Sequence, residues 1–366
     1  MTKIKQKKMV LSIKELEMSE KNSKLKTQNS KRRLRVAVIG VGSMGRHHAR
    51  NYAQIRGVDL VAVSDTDKSL GERVASEFNT KFYQDYKELL ENEKPELVSI
   101  AVPTKWHFPV ALDVIRSKTH TLIEKPIAFS INEAEEIILQ AKKAKIKLTV
   151  GHIERFNPAI LKLKDLIEKG KLGTIISVMA RRAGTIPPRI KDANVILDIG
   201  VHDIDLINFI LGRQPINVYA SGGKAVLKKQ EDYADILLEY PVSKEGLSVT
   251  GHIQVNWITP VKIRKINVTG TKGYAVLNLI SQELYFFDTN YTHVFDNFED
   301  FVGKFKESKG RLIKVSRKEP LRAQLEYFVN SVKNGRAPLV SPEEAISALR
   351  TAVVATETIR LKKGRA

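Results

Sequence analysis

Leu34-Arg-Val-Ala-Val-Ile-Gly40-Val-Gly42-Ser-Met-Gly45 is the stretch that decides the fold. A short Val- and Ile-rich run reads as a buried strand. It is followed by glycines in G-x-G-x-x-G spacing that open a helical pattern from Met44 to about Arg56. In that context each glycine has a task. Gly40 permits the tight turn, Gly42 leaves room where a pyrophosphate approaches, and Gly45 lets the helix pack close to the sheet. The helix start, with Ser43 and Met44 in its first turn, offers backbone N–H groups and a positive dipole end to phosphates. Val58–Ser64 reads as the next strand, and Asp65 closes it, about 20 residues beyond the glycines. A carboxylate there accepts hydrogen bonds from a ribose and repels a 2′-phosphate. Thr66 follows it, not an arginine, so NAD is expected over NADP. The plainer alternative is an ordinary glycine turn with Asp65 as a helix cap.

Working outward, Glu96–Val102, Thr119–Glu124 and Lys147–Val150 read as further strands, with helices between them, including a long amphipathic one over Ile131–Lys145. Strands alternating with helices predict a doubly wound parallel α/β sheet. After Gly151 the pattern changes. Ile175–Arg182, Ile216–Gly222, Asp235–Tyr240, Ser248–Trp257, Lys262–Thr269, Ala275–Leu279 and Leu284–Asp288 read as successive strands, several of alternating polarity. That is the pattern of a mainly antiparallel sheet with one face more exposed. Helices over Leu321–Lys333 and Pro342–Lys362 close the chain. The expected division is a basic, poorly ordered tail at 1–33, a Rossmann domain at 34–150, an α+β domain at 151–340, and a C-terminal helix at 341–366 returning to the first domain.

Composition bounds the function. The chain of 366 residues is ordinary for a globular protein, with 42% hydrophobic and 28% charged residues. It has no cysteine, so disulfides, thiolate metal sites and cysteine nucleophiles are excluded. No stretch approaches the roughly 20 apolar residues of a membrane span, and residues 1–33 lack the apolar core of a signal peptide. A cytoplasmic setting fits. The net charge is +20, and eleven Lys/Arg against three Asp/Glu fall within residues 1–33. A basic surface favours anionic partners, but no nucleic-acid-binding signature accompanies it, and no nucleic-acid or membrane partner is expected.

Two segments carry chemistry. Lys125, in Glu124-Lys125-Pro126, follows a strand-like run, and ligands of doubly wound sheets bind beyond the carboxyl ends of the strands. Proline restricts the residue before it, so this lysine is anchored. The alternative is a solvated surface lysine. Asp198 and His202 are spaced i,i+4, which puts a carboxylate and an imidazole on one helix face. An imidazole is well suited to take a proton near neutral pH. The alternative is a capping aspartate and a core histidine. No ligand set with convincing spacing supports a metal.

These segments, with Ala101-Val-Pro-Thr-Lys-Trp-His107 and Asp198-Ile-Gly-Val-His-Asp-Ile-Asp205, resemble the Gfo/Idh/MocA oxidoreductases from about Leu34 to the C-terminus. The resemblance implies a Rossmann domain, a C-terminal α+β domain with a large open sheet, and a homodimer or homotetramer built on that sheet. It implies Pro103, Thr104, His107, Glu124 and Lys125 on the cofactor side. It also implies His202 as general base, Lys125 as polarising or relaying group, and Asp198 as positioner of substrate or base. Gly151-His-Ile-Glu-Arg-Phe-Asn-Pro158, Arg181-Arg182 and Gly184-Thr-Ile-Pro-Pro-Arg-Ile190 resemble the branch that oxidises the 3-hydroxyl of UDP-N-acetylglucosamine. Arg155, Asn157, Arg181, Arg182 and Arg189 are then the candidates for holding a nucleotide sugar, through guanidinium forks and an amide. The competing substrates are the uronate of that sugar nucleotide, a free sugar, an inositol or a sugar phosphate. From another class, a non-enzymatic NAD(H)-binding regulator competes. Asp192-Ala-Asn-Val-Ile-Leu197 departs from the family pattern by lacking the glycine pair that many members carry there.

Overall fold

The computed structural model describes residues 32–186, 193–289 and 310–363. The tail expected at 1–33 therefore falls almost wholly outside the described residues, and so does Arg189. The chain divides into two compact units. One takes the described residues up to Phe156 together with Lys318–Arg350, and the other takes Asn157–Arg317 and the residues from Thr351.

The first unit holds β1 (Leu34–Ile39), α1 (Ser43–Gln54), β2 (Val58–Ser64), α2 (Lys68–Glu77), β3 (Lys81–Tyr83), α3 (Tyr86–Glu93), β4 (Leu97–Ile100), α4 (His107–Arg116), β5 (His120–Ile123), α5 (Ile131–Lys143) and β6 (Leu148–Val150). The strands form one parallel sheet in the order β3-β2-β1-β4-β5-β6. β4 and β6 are buried throughout. Strands covered on both faces read as continuous apolar runs, which is why they stand out in the sequence. β3 is three residues long and only partly covered, so it gave no periodic signal. The strand order reverses between β1 and β4, where doubly wound sheets bind ligands.

A helix over Pro320–Lys333 belongs with this unit rather than with the second domain, where the sequence placed it. Its Leu321, Leu325, Phe328 and Val329 form one stripe and share a buried cluster with Leu34, Val36, Tyr52 and Leu97.

The second unit begins with α6 (Pro158–Glu168) and carries β7 (Ile175–Thr185), α7 (Val201–Leu211), β8 (Asn217–Gly223), β9 (Tyr233–Tyr240), β10 (Val249–Asn256), β11 (Ile258–Gly270), β12 (Gly273–Asn278), β13 (Glu283–Asp288) and β14 (Arg311–Ile313). We number the helix over Pro320–Lys333 α8 and the last helix, Pro342–Lys363, α9. The eight strands run in the order β14-β13-β12-β11-β7-β10-β9-β8. β7 and β10 pair in parallel, and every other neighbouring pair is antiparallel. One face is buried by Val178, Ala180, Ile253, Ile266 and Val268, with α7 lying so close to β10 that a Cβ on Gly251 would stand 3.0 Å from Ile207.

Two expectations follow from the first unit. A Cβ at Gly45 would lie 1.8 Å from the Gly40 carbonyl oxygen, whereas one at Gly42 would meet nothing within 4 Å. Gly45→Ala should therefore cost about 2–3 kcal/mol and lower Tm by roughly 5–10 °C, while Gly42→Ala leaves Tm unchanged. Thermal melts of the two variants check this. The second concerns Glu93, buried beside Arg35 Nη2 at 3.0 Å and Lys81 Nζ and the Tyr83 hydroxyl at 2.7 Å. Burial pushes its carboxyl up, but these partners outweigh burial and hold it below the usual glutamate range. A carboxylate depressed on folding stabilises above its unfolded pKa of about 4.3, and the gain is lost as pH falls through the folded value. Glu93→Gln should lower Tm at neutral pH, and the gap to wild type should close on acidification below that value.

Candidate active site

In the first unit the glycine turn is built as a phosphate cradle. Gly40 takes a φ of +82°, and a Cβ there would strike the Val102 nitrogen at 2.8 Å. The turn is therefore pressed against the loop after β4. α1 starts at Ser43 with Gly42 before it, no side chain caps it, and its first turn has no acidic residue. Its N–H groups and dipole are left to an anion. Ser43 is exposed at that start, while Met44 packs against the core. The space beside Gly42 is open, as a pyrophosphate requires. Asp65 holds the turn itself, accepting from Val41 N at 2.8 Å and from Asp67 N at 3.0 Å. A carboxylate has about four lone-pair sites, so acceptor capacity remains for ribose hydroxyls. These residues fit a dinucleotide.

Pro103 is exposed and Thr104 half-buried, in a 3₁₀ turn over Thr104–Trp106. The sequence puts His107 and Glu124 on the cofactor side, and the structure gives both of them partners within the first unit. His107 is 1% exposed, with Nδ1 2.8 Å from the Pro126 carbonyl and Nε2 2.9 Å from the Val102 carbonyl. It staples the loop after β4 to the loop after β5. Burial lowers its pKa, by more than the two carbonyls raise it. Glu124 is 7% exposed and faces His48 Nε2 at 2.9 Å, with Lys125 N donating at 3.2 Å. Burial pushes its carboxyl up, but His48 and the Lys125 ammonium outweigh this and hold it below the usual range. Lys125, half-buried and joined to Pro126 by a cis peptide bond, thus sits on a loop held on both sides. His48, three residues beyond Gly45 on α1, escaped the sequence argument.

In the second unit Asp198 lies in a π-helical turn, Ile196–Gly200, that runs directly into α7. Such turns recur at functional sites. From Val201 to Ile210 every residue is buried except His202, which is half-buried, as is Asp198. The helix also buries Asp203, Asp205 and Asn208, and His202 is its one half-buried side chain before Leu211. α7 ends at Gly212, φ +66°, and Lys164 Nζ donates to the Ile210 carbonyl at 2.9 Å, a cation at the negative end of the dipole.

Three residues expected on the substrate have partners within their own units. Arg182 is 4% exposed and its Nε lies 3.0 and 2.9 Å from the two oxygens of buried Asp203. Arg155 is 1% exposed and pairs with Glu344 at 2.9 Å. Asn157 caps α6 through the Ala159 N–H at 3.1 Å and donates to the Leu279 carbonyl at 3.0 Å. A long polar side chain after a strand signals a polar partner, not which partner, and burial decides between protein and ligand. Arg181, its neighbour on β7, is exposed on the other face of the sheet. No cluster of three or more metal-ligating side chains occurs among the described residues, and no helix among them is long and apolar enough to cross a membrane.

Comparison with known proteins agrees with this geometry. The model of the oxidoreductase family's NAD-binding Rossmann fold, Gfo/Idh/MocA, matches residues 34–152, and the Gfo/Idh/MocA C-terminal domain matches 160–276. A UDP-N-acetylglucosamine 3-dehydrogenase of Acidithiobacillus ferrooxidans is 28% identical over 82% of this chain and 88% of its own length. A scyllo-inositol 2-dehydrogenase (NAD(+)) of Bacillus subtilis is 26% identical over 89% of this chain and 94% of its own. A solved structure of the Acidithiobacillus enzyme superposes with a TM-score of 0.77 at 26% identity, covering 89% of this chain and 98% of that one. With the two family domains matched in order along the chain, this protein belongs to the Gfo/Idh/MocA family of NAD-binding oxidoreductases.

Proposed function

We propose that this dehydrogenase oxidises the 3-hydroxyl of UDP-N-acetylglucosamine to a ketone. The observation that carries the reading is His202, the one accessible side chain in an otherwise buried stretch, with Asp198 one turn before it. The choice of substrate leans on the similarity to a UDP-N-acetylglucosamine 3-dehydrogenase. Bound NAD+ supplies the acceptor for the carbon-bound hydride. The residues assigned to hold it are Gly40, Gly42, Ser43, Gly45, Asp65, Pro103 and Thr104. His202 takes the hydroxyl proton. Asp198 orients the imidazole or the substrate. Lys125 polarises the hydroxyl or relays its proton. Arg155, Asn157 and Arg182 have partners within their own units, Arg181 stands with Met179 on the sheet face opposite the one α7 covers, and Arg189, outside the described residues, is the candidate left for the diphosphate. An inositol is the second reading, favoured by the similar identity to a scyllo-inositol dehydrogenase and by the internal pairing of two of the expected arginines. Mixing the protein with NAD+ and each candidate while following NADH absorbance decides between them. UDP-N-acetylglucosamine should turn over best, and His202→Ala should lower kcat about 10²–10⁴-fold, with Lys125→Ala also strongly impaired. Full turnover by either variant, or preferential oxidation of an inositol, overturns the assignment.

We also propose that the open face of the second sheet pairs with a second copy of the chain. Tyr219, Leu237, His252, Met179, Asn267, Val276, Tyr285 and Leu312 stand opposite one another in register across all eight strands. Met179 is 50% exposed, Tyr219 48% and Leu312 57%. A largely apolar row of this length is unusual on a monomer, and a self-complementary pairing closes it. Light scattering should report a dimer or tetramer, and Met179→Glu should shift it toward monomer. A monomeric wild type removes this proposal.

A further inference from the structure

Two residues before the π-helical turn that carries Asp198 stands a buried asparagine. Asn194 is 3% exposed, and its amide is used completely. Oδ1 accepts the Ile196 N–H at 3.1 Å and the Leu197 N–H at 2.9 Å, two of the orphan donors of the first turn. Nδ2 donates to Glu231 Oε2 at 3.0 Å and to Thr356 Oγ1 at 3.2 Å. Two acceptor and two donor contacts are all that an amide can make. The backbone repeats the tie: Val195 N donates to the Glu231 carbonyl at 3.0 Å, and Asp198 N to the Asn194 carbonyl at 3.0 Å. Glu231 is in turn gripped by Arg360 of α9, with Nε and Nη2 each 3.2 Å from a carboxylate oxygen.

We propose that Asn194, Glu231 and Arg360 are positioning residues that fix the turn presenting Asp198 and His202. The inference rests on the assignment of Asp198 and His202 to the reacting hydroxyl. The polarity of each link supports it. Asn194 can bond two N–H groups only if its oxygen faces the helix, and its nitrogen then needs an acceptor, which Glu231 supplies. Burial pushes the Glu231 carboxyl up, but the Arg360 fork and the Asn194 amide outweigh it, so the acceptor stays ionised. Support of this kind holds reacting groups in geometry without touching substrate.

The test is Asn194→Ala, Asn194→Ser and Asn194→Asp in the full chain, assayed with NAD+ and UDP-N-acetylglucosamine beside His202→Ala. Asn194→Ala should lower kcat at least tenfold while the NADH dissociation constant stays within twofold. Asn194→Ser, which still caps a helix start, should recover part of the loss. Asn194→Asp sets a new carboxylate against Glu231, with Arg360 the facing cation and Glu357 beside Arg360, so its activity should peak at lower pH than wild type. If Asn194→Ala keeps kcat within threefold while His202→Ala is inactive, the brace is overturned and the activity reading stands. If the wild type oxidises no sugar nucleotide, the activity reading fails, and amide exchange then decides the brace. Exchange at 196–202 at least tenfold faster in Asn194→Ala supports it, and unchanged exchange overturns it.

Discussion

Glu124 puts a carboxylate where water scarcely reaches, and burying an anion is costly unless it is paired. His48 from α1 reaches one oxygen at 2.9 Å, and the Lys125 N–H reaches the other at 3.2 Å. Gly151, at the end of β6, makes the space, since a Cβ there would lie 2.7 Å from the same carboxylate. The helix that follows the glycine turn and the loop that bears Lys125 are thus referred to one charge. One turn further along α1, Tyr52 bonds Ser99 of β4 at 2.8 Å, so the helix is registered against the sheet twice. Together with the His107 staple on the other side of Pro126, this leaves the Lys125 loop little freedom.

The fold was legible where one pattern implied one environment. The buried strands of the first sheet read as apolar runs, and the glycine spacing stood in the strand-to-helix context that gives it meaning. The antiparallel sheet was legible from alternation, since its inner and outer faces differ. β3 and β14, three residues each, were too short to show a period. The site was legible only in part. A histidine on an apolar helix and a lysine after a strand are visible in sequence. Whether an arginine meets a substrate or Asp203 depends on long-range packing that no local spacing encodes. Asn194 shows the same limit from the other side. It lies in the segment that departs from the family's glycine pattern, and its role appears only once Glu231, far along the chain, is brought beside it.

The internal pairing of Arg155 and Arg182 changes how the chemistry is argued. Guanidinium groups that brace α7 and the end of the first unit build the scaffold, so the proposed recognition of a diphosphate has fewer candidate residues than the sequence suggested. The proposed proton chemistry does not draw on these arginines. His202 and Asp198 keep their exposure, and α7 is secured at its far end by Lys164 and Gly212. Fixed supports around a few accessible polar groups are what preorganised catalysis requires.

The most direct measurement is to supply UDP-N-acetylglucosamine carrying deuterium at C3, together with NAD+, and to weigh both products. The account predicts one deuterium on the reduced nicotinamide and a sugar nucleotide lacking it, with a ketone at C3. Reduced cofactor without deuterium, or an unchanged sugar nucleotide where an inositol is oxidised, would contradict it.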